Sequence, residues 1–405
     1  MILKKIETPR KEVKIKIGGS KSESNRLLVL NALYKNTIEI SNLSDAEDTF
    51  LLHNALAKRD ATIDIHHAGT AMRFLTAFLS IQEGETFVIT GSDRMKQRPI
   101  GVLVDALREL GAEITYLEKE GFPPLKIIGK KILGGELVID GSVSSQYLTA
   151  LILIGSKLKH GLRLIPKGKI TSLPYLKMTL AIQKSLGIVS KIENETISVP
   201  FVPIIEKQNF TVESDWSSAS YFYSIVAIAN DMKLELSSYK TDSLQGDRRV
   251  AEIYKEFFGV ETEFLDNTII LRKNPNFKFN HSEIVKLNLN DCPDIAQTIC
   301  VTATALKIPI SISGLETLKI KETDRLIALK IELEKCGAKV EISDSTIEIF
   351  SYTDVKSVTI KTYNDHRMAM AFAPLALKMD LEIENPEVVE KSYPNFWKDV
   401  SKIEN

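Results

Sequence analysis

Along the chain one pattern recurs: apolar residues at helical spacing run up to a glycine, and residues of alternating polarity follow it. The copies are LRELGAEITYL, IQKSLGIVSKI, YKEFFGVETEFL and LEKCGAKVEIS. The spacing before the glycine predicts a helix and the period of two after it predicts a strand, with the glycine as a left-handed C-terminal cap. In the last two copies a second strand follows across a polar turn, LDNTIILR and SDSTIEIF, making a helix–strand–strand unit. LLHNALAKRDATIDI is a shorter version without the glycine. Between these units lie helices with Ser-, Thr- or Asp-rich starts: GGSKSESNRLLVLNAL, GSVSSQYLTALILIG, SDWSSASYFYSIVAIA, DCPDIAQTICVTATAL and KIKETDRLIALKIEL. In the first of them Ser20 and Glu23 stand at capping-box spacing. Repetition on this scale predicts a duplicated α/β architecture, with a period too long for a standard solenoid. The best internal boundary by composition is the polar stretch 206–214, before SDWSSAS.

Composition narrows the classes. A chain of 405 residues, 44% hydrophobic, suits two well-packed domains. Its longest apolar runs, near 148–154 and 368–377, fall short of a bilayer span. The opening MILKKIETPRKEVKIKI has acidic residues and strand-like alternation, unlike a signal peptide. With 52 basic against 53 acidic residues the formal charge is −1, which argues against a nucleic-acid or membrane-surface protein. Any anion site must therefore come from local arrangement. Three cysteines, Cys292, Cys300 and Cys336, imply no disulfide framework and a reducing, cytoplasmic compartment. The six histidines stand at no recognisable metal-ligand spacing.

Several predicted helix starts combine hydroxyls with a cation, and a helix N-terminus offers free N–H groups and a positive dipole end to an anion. Ser20-Lys21-Ser22 is one, Ser144-Ser145-Gln146 a second, and Thr171-Ser172 ahead of Pro174 a third. Each alone is explained as well by ordinary capping, since Ser and Thr are favoured N-caps. Lys321-Glu322-Thr323-Asp324-Arg325, read as helical, puts Lys321, Glu322 and Arg325 on one side. Surface ion pairing is the plain explanation, and a proton-exchanging carboxylate held between two cations the chemical one. Asn364-Asp365-His366-Arg367 opens the apolar helix MAMAFAPLALK with two basic residues that oppose its dipole, which a bound anion would justify. Asp294 in DCPD is either a cap or a base aimed at a hydroxyl. Arg98 in RMKQRPIG and Lys391 in EKSYPNFW read, singly, as solvated surface cations. Gly69 in HAGTAMR permits close approach of backbone to a ligand. A dinucleotide fingerprint, a P-loop and a GxSxG elbow do not occur.

Taken together and in order, GSKSESNR, HAGTAMR, RMKQRPIG, GSVSSQYLTAL, TSLPYL, SDWSSASYF, QGDRR, DCPDIAQT, KIKETDRL, NDHRMAMAF and KSYPNFW resemble the EPSP synthase family, from Lys21 to Lys391. The resemblance implies a two-domain α/β fold of six βαβαββ units, three per domain, with the active site in the interdomain cleft. It implies one domain near 20–212 and another from 1–19 plus 213–405. The implied reaction joins the enolpyruvyl group of phosphoenolpyruvate to the 5-hydroxyl of shikimate 3-phosphate. It needs no cofactor or metal, involves no nucleic acid or membrane, and is expected of a monomer. Shikimate 3-phosphate is implied to meet Lys21, Ser22, Arg26, Ser144, Ser145, Gln146, Ser172, Tyr175, Asp294 and Lys321. Phosphoenolpyruvate is implied to meet Lys21, Gly69, Arg98, Gln146, Arg325, Arg367 and Lys391, with Asp294, Glu322 and Lys21 catalytic. Glyphosate is implied to compete with phosphoenolpyruvate, using space that Gly69 leaves open.

The chemistry accounts for that inventory, because two phosphates and two carboxylates brought together need converging cations. Three positions depart from the family pattern: His67 where many members carry Asn, Phe74 where many carry Pro, and Thr317 where Asn is common. The stretch between Asp48 and His67 also reads about twenty residues short of longer members, aligned by eye. Two alternatives stand beside this reading. The other enolpyruvyl transferase, acting on UDP-N-acetylglucosamine, usually has a reactive cysteine in its first domain, whereas all three cysteines here follow residue 290. A non-catalytic anion-binding homologue would have lost a proton-transfer residue, and both Asp294 and Glu322 are present.

Overall fold

The computed structural model describes residues 1–58, 60–141, 144–168, 172–229, 231–279 and 283–404. Thr171, named above, lies outside the described residues. The chain divides into two compact units, one formed by Gly19–Val212 and the other by Met1–Gly18 with Glu213–Asn405. Among the described residues there are six sheets, three in each unit.

Four sheets repeat one plan. Two strands pair in parallel, as the intervening helix requires, and a helix then leads into an antiparallel hairpin that completes the sheet. In the unit Gly19–Val212 the strands Thr62–Asp64 and Thr86–Thr90 are parallel, and the hairpin Glu113–Tyr116 with Leu125–Ile128 closes the set. Gly135–Asp140 and Leu162–Lys167 repeat this with the hairpin Lys191–Glu193 and Thr196–Val199. In the other unit Glu12–Ile15, from the start of the chain, pairs in parallel with Lys233–Ser237. Its hairpin is Val260–Leu265 with Thr268–Lys273. The fourth sheet is built from Val285–Asn288, Ile310–Ser313, Ala338–Ile342 and Ile347–Tyr352. The hairpin expected in the last two copies of the sequence pattern is thus present in all four. The remaining sheets are smaller: Ile38–Ser41 pairs with Gln208–Thr211, and Ser357–Ile360 and Asp380–Ile383 pair with Ile2–Leu3.

The glycines of the recurring pattern do what the chain reversal demands. Gly259 closes the helix Val250–Phe258 with φ 68°, and Gly111, Gly187 and Gly337 also take positive φ. Each strand then alternates, with one face buried against helices; Glu12–Ile15 exposes Glu12 and Lys14 and buries Val13 and Ile15. Ser145–Gly155 and Trp216–Ile228 differ from surface helices in being apolar almost all round, and both are buried nearly throughout. Each buried Leu or Ile in them contributes about 1.5–3 kcal/mol of transfer free energy. These central helices hold the polar residues at their N-termini in fixed positions. Among the described residues, no helix is long and apolar enough to cross a membrane.

Candidate active site

The unit Gly19–Val212 gathers its polar residues at helix starts. Ser20 caps the helix Lys21–Leu33, its hydroxyl accepting from the Glu23 N–H at 3.4 Å. Lys21 Nζ lies 3.1 Å from Oδ2 of the buried Asp48. One turn on, Arg26 is buried; its guanidinium donates to Thr179 Oγ1 at 2.8 Å and to the carbonyls of Ser22 and Tyr175 at 2.7 and 3.2 Å. It also sits over the rings of Phe74 and Tyr175, at 5.7 and 5.8 Å from the centroids. Burial pulls the Arg26 guanidinium down to about 10, and no described carboxylate lies within ion-pair distance of it. Phe74 in place of the family's frequent Pro leaves the helix Gly69–Ser80 unbroken and forms part of this seat.

A second buried cation in the unit also has no ion-pair partner among the described residues. Arg98 is buried, its Nε has no hydrogen-bond partner, and no described carboxylate pairs with it. Its guanidinium packs on Gly69: a Cβ there would fall 2.4 Å from Arg98 Nη1. The space over Gly69, expected to be open, is therefore filled by Arg98. Two residues that sequence reasoning passed over hold this loop, since Tyr147 Oη and Arg73 Nη2 both donate to the Pro99 carbonyl, at 2.6 and 2.7 Å. Ser144 caps the helix Ser145–Gly155 by accepting from the Gln146 N–H, and Gln146 Nε2 reaches Thr70 Oγ1 at 3.4 Å. Gln146 and Gly69 are thereby neighbours. Ser172 precedes the helix Leu173–Ser185 in the left-handed region, φ 53°, and makes no capping bond. His67 is exposed, with Nδ1 2.9 Å from Ser92 Oγ. A buried cation without a carboxylate is costly to keep charged, and an anionic ligand removes that cost.

In the unit Met1–Gly18 with Glu213–Asn405, cations and carboxylates share one cluster. Asp294 lies on the 3-10 turn Pro293–Ile295 and does not cap the helix that follows it. Its Oδ1 is 3.0 Å from Arg325 Nη1 and 3.4 Å from Lys321 Nζ; its Oδ2 is 3.3 Å from Arg367 Nη2. Burial works to raise its pKa, but Arg367, Lys321 and Arg325 together hold it well below the usual carboxylate range. Glu322 accepts from Arg325 Nη2 at 2.8 Å and from Lys391 Nζ at 2.5 Å. Burial lowers the Lys321 ammonium despite Asp294 and Glu322 beside it. Lys391, which taken singly reads as a surface cation, is buried on its pair with Glu322.

The single helix expected over Lys321–Arg325 does not form. Asp324 caps the helix Arg325–Lys335 by accepting from the Leu326 and Ile327 N–H groups, so Lys321 and Glu322 precede the helix. They meet Arg325 through the charged contacts instead. Asp365, given no role above, both accepts from the Arg367 N–H and binds Arg325 Nε at 2.7 Å. Only its place in the Asn364–Arg367 motif pointed to it. Thr317, in the adjoining turn Glu316–Ile320, has a buried hydroxyl with no hydrogen-bond partner. Among the described residues, no group of three or more His, Cys, Asp or Glu is arranged to hold a metal ion.

Buried cations at helix starts of repeated α/β sheets, without a described carboxylate partner in one unit and clustered with Asp294 and Glu322 in the other, are chemistry suited to small polyanions. The fold is that of the enolpyruvyl transferases: an EPSP synthase from Acinetobacter baumannii superposes with TM-score 0.77, covering 99% of this chain and 97% of that one at 19% identity. The enolpyruvyl transferase NikO from Streptomyces tendae superposes with TM-score 0.74, over 99% and 97%, at 13% identity. The sequence narrows this further. The 3-phosphoshikimate 1-carboxyvinyltransferase of Bacteroides fragilis is 46% identical over 96% of this chain and 94% of its own. That of Photobacterium profundum is 38% identical over 96% of both. The family model for EPSP synthase (3-phosphoshikimate 1-carboxyvinyltransferase) matches residues 51–400, and the chain belongs to this family.

Proposed function

We propose that the protein transfers the enolpyruvyl group of phosphoenolpyruvate to the 5-hydroxyl of shikimate 3-phosphate, releasing phosphate, in the shikimate route to chorismate and aromatic amino acids. The observation that carries this reading is the half-buried Asp294, ringed by Lys321, Arg325 and Arg367, with Glu322 bridging Arg325 and Lys391. Asp294 takes the hydroxyl proton as the oxygen bonds to C2, while C3 gains a proton from Glu322, which enters this step protonated. The tetrahedral intermediate then breaks its C2–O bond to phosphate, and the C3 proton returns to Glu322, with Lys21 assisting.

Asp294 is ionised at neutral pH but too strongly stabilised to be a good base while three cations attend it. An incoming phosphate or carboxylate draws those cations toward itself, and the basicity of Asp294 rises as the substrate binds. In this reading Ser144, Ser145 and Ser172 take the phosphate of shikimate 3-phosphate, Gln146 reaches both substrates, and Tyr175 lies against the ring. Lys21, Ser22, Arg26 and Lys321 complete that substrate's contacts. Gly69, Arg98, Arg325, Arg367 and Lys391 take phosphoenolpyruvate. The protein works as a cytoplasmic monomer without a cofactor. Incubating the purified protein with both substrates tests the reading by phosphate release, and no phosphate above the single-substrate controls sinks it.

Gly69→Ala drives a methyl group into the Arg98 guanidinium. The expected result is a KM for phosphoenolpyruvate raised roughly tenfold or more, the value of one charged hydrogen bond, with kcat changed less. Steady-state kinetics at saturating shikimate 3-phosphate check it, and an unaltered KM removes Arg98 from that contact.

The thiols are expected to be bystanders. Cys292, Cys300 and Cys336 are all buried. Burial, with Asp247 adding to it, pushes the Cys292 thiol up to about 12; burial raises Cys336 to about 12 and also raises Cys300. Thiolate is scarce at pH 8, so a disulfide reagent should label the folded protein far more slowly than the unfolded one. Replacing all three by Ala should keep most of the activity. A folded but inactive triple variant would reopen the alternative of a transferase acting on UDP-N-acetylglucosamine.

A further inference from the structure

Asp247 is a buried carboxyl that the reaction above leaves unused. It lies in the turn Gly246–Arg249, and its Oδ2 accepts a short hydrogen bond from Ser217 Oγ. Its Oδ1 is buried with no hydrogen-bond partner among the described residues. The Ser217 hydroxyl in turn accepts from Arg367 Nη2 at 3.3 Å, and the same nitrogen lies 3.3 Å from Asp294 Oδ2. The Arg367 guanidinium is therefore divided between two carboxyls, Asp294 directly and Asp247 through one hydroxyl.

The groups around Asp247 set its charge. Burial is the largest influence and Asp294 adds to it; Asp215, the cap of the helix Trp216–Ile228, acts in the same direction. Arg367 and the Ser217 hydrogen bond oppose them, and the thiol of Cys292 close by is neutral. The balance leaves the Asp247 carboxyl pushed up to about 7. An anion arriving at Arg367 brings another negative charge into the cluster, which favours a proton on Asp247 still more.

We propose that Asp247 is a positioning residue: through Ser217 it governs how much of the Arg367 charge is free for an anionic substrate, and it takes up a solvent proton as that substrate binds. The proposal rests on the enolpyruvyl-transfer reading for the identity of that substrate, phosphoenolpyruvate. Ionised Asp247 competes for Arg367, and protonated Asp247 releases it. The only bond formed is the O–H of the carboxyl.

Linkage gives the expected size. With the free carboxyl half-titrated near pH 7 and the bound one still protonated at pH 8, the KM for phosphoenolpyruvate rises roughly tenfold between pH 6.5 and 8. The measurement is KM against pH at saturating shikimate 3-phosphate. Asp247→Asn cannot titrate, so its KM should lose that rise, and comparison with the unaltered protein cancels the substrate's own ionisation. Ser217→Ala removes the bond that favours the ionised carboxylate, so its rise should begin at higher pH. These two shifts support the proposal. A KM profile in Asp247→Asn parallel to that of the unaltered protein overturns it; if that variant does not fold, an unmoved profile in Ser217→Ala does so. Turnover without these shifts sinks this inference alone, whereas a protein that releases no phosphate sinks the reading beneath it.

Discussion

Glu322→Gln is expected to give a folded protein whose turnover falls about 10²–10⁴-fold, the range that general acid–base catalysis contributes. The amide keeps the shape and one oxygen to accept from Arg325 or Lys391, now 2.8 and 2.5 Å from the carboxylate. Arg325 keeps Asp365 and Asp294 as partners, which leaves the amide oxygen for Lys391, whose partner is Glu322. What the amide lacks is a proton to lend to C3 and recover. Single-turnover kinetics measure the loss, and exchange of solvent deuterium into C3 of phosphoenolpyruvate should fall with it. Exchange at the normal rate in a slow variant would mean that another group moves the C3 proton.

Arg325→Met is expected to damage the fold itself. The side chain is 2% exposed and its three nitrogens are shared among Asp365, Asp294 and Glu322. The three carboxylates and burial act on it in opposite directions; the carboxylates win and raise its pKa. Methionine fills much of the volume but leaves Asp365, which is fully buried, without its cation. Breaking a buried pair from one side costs about 3–5 kcal/mol, a large share of the stability of a domain this size. Denaturant unfolding checks it: the midpoint should fall while m stays constant. A loss under about 1 kcal/mol would mean that the cluster is held by Lys321, Lys391 and Arg367 without Arg325. Catalysis should fall too, so the two variants separate a residue that works on the substrate from one that also holds the site together.

Local structure was largely legible in the chain. Period 3.6 up to a glycine and period two beyond it follow from side-chain direction along a helix and a strand, and neither depends on distant residues. Hence Gly111, Gly187, Gly259 and Gly337 could be read as helix ends, and the strand after each appears as expected. Cys300, inside an apolar helix, could be read as buried. Ordered motifs from Lys21 to Lys391 were enough to identify the family. Misreading began where a local rule had two outcomes. Lys321, Glu322 and Arg325 have helical spacing, yet Asp324 captures the free N–H groups of the next turn and starts the helix later.

Tertiary structure alone decided which charges face one another. Nothing near Arg98 says that it is buried without a carboxylate, or that Arg73 and Tyr147 hold its loop from other helices. Nothing near Asp365 or Asp247 says that one binds Arg325 and the other reaches Arg367 through Ser217. Those partners lie 40, 30 and 150 residues apart along the chain. Hydrophobic patterning is a property of neighbours in sequence, and so the sequence by itself determined the elements and the family. An ion pair depends on distance in space and on the water excluded around it, and so only the folded chain decided which carboxylates remain ionised and which cations are left for an anion.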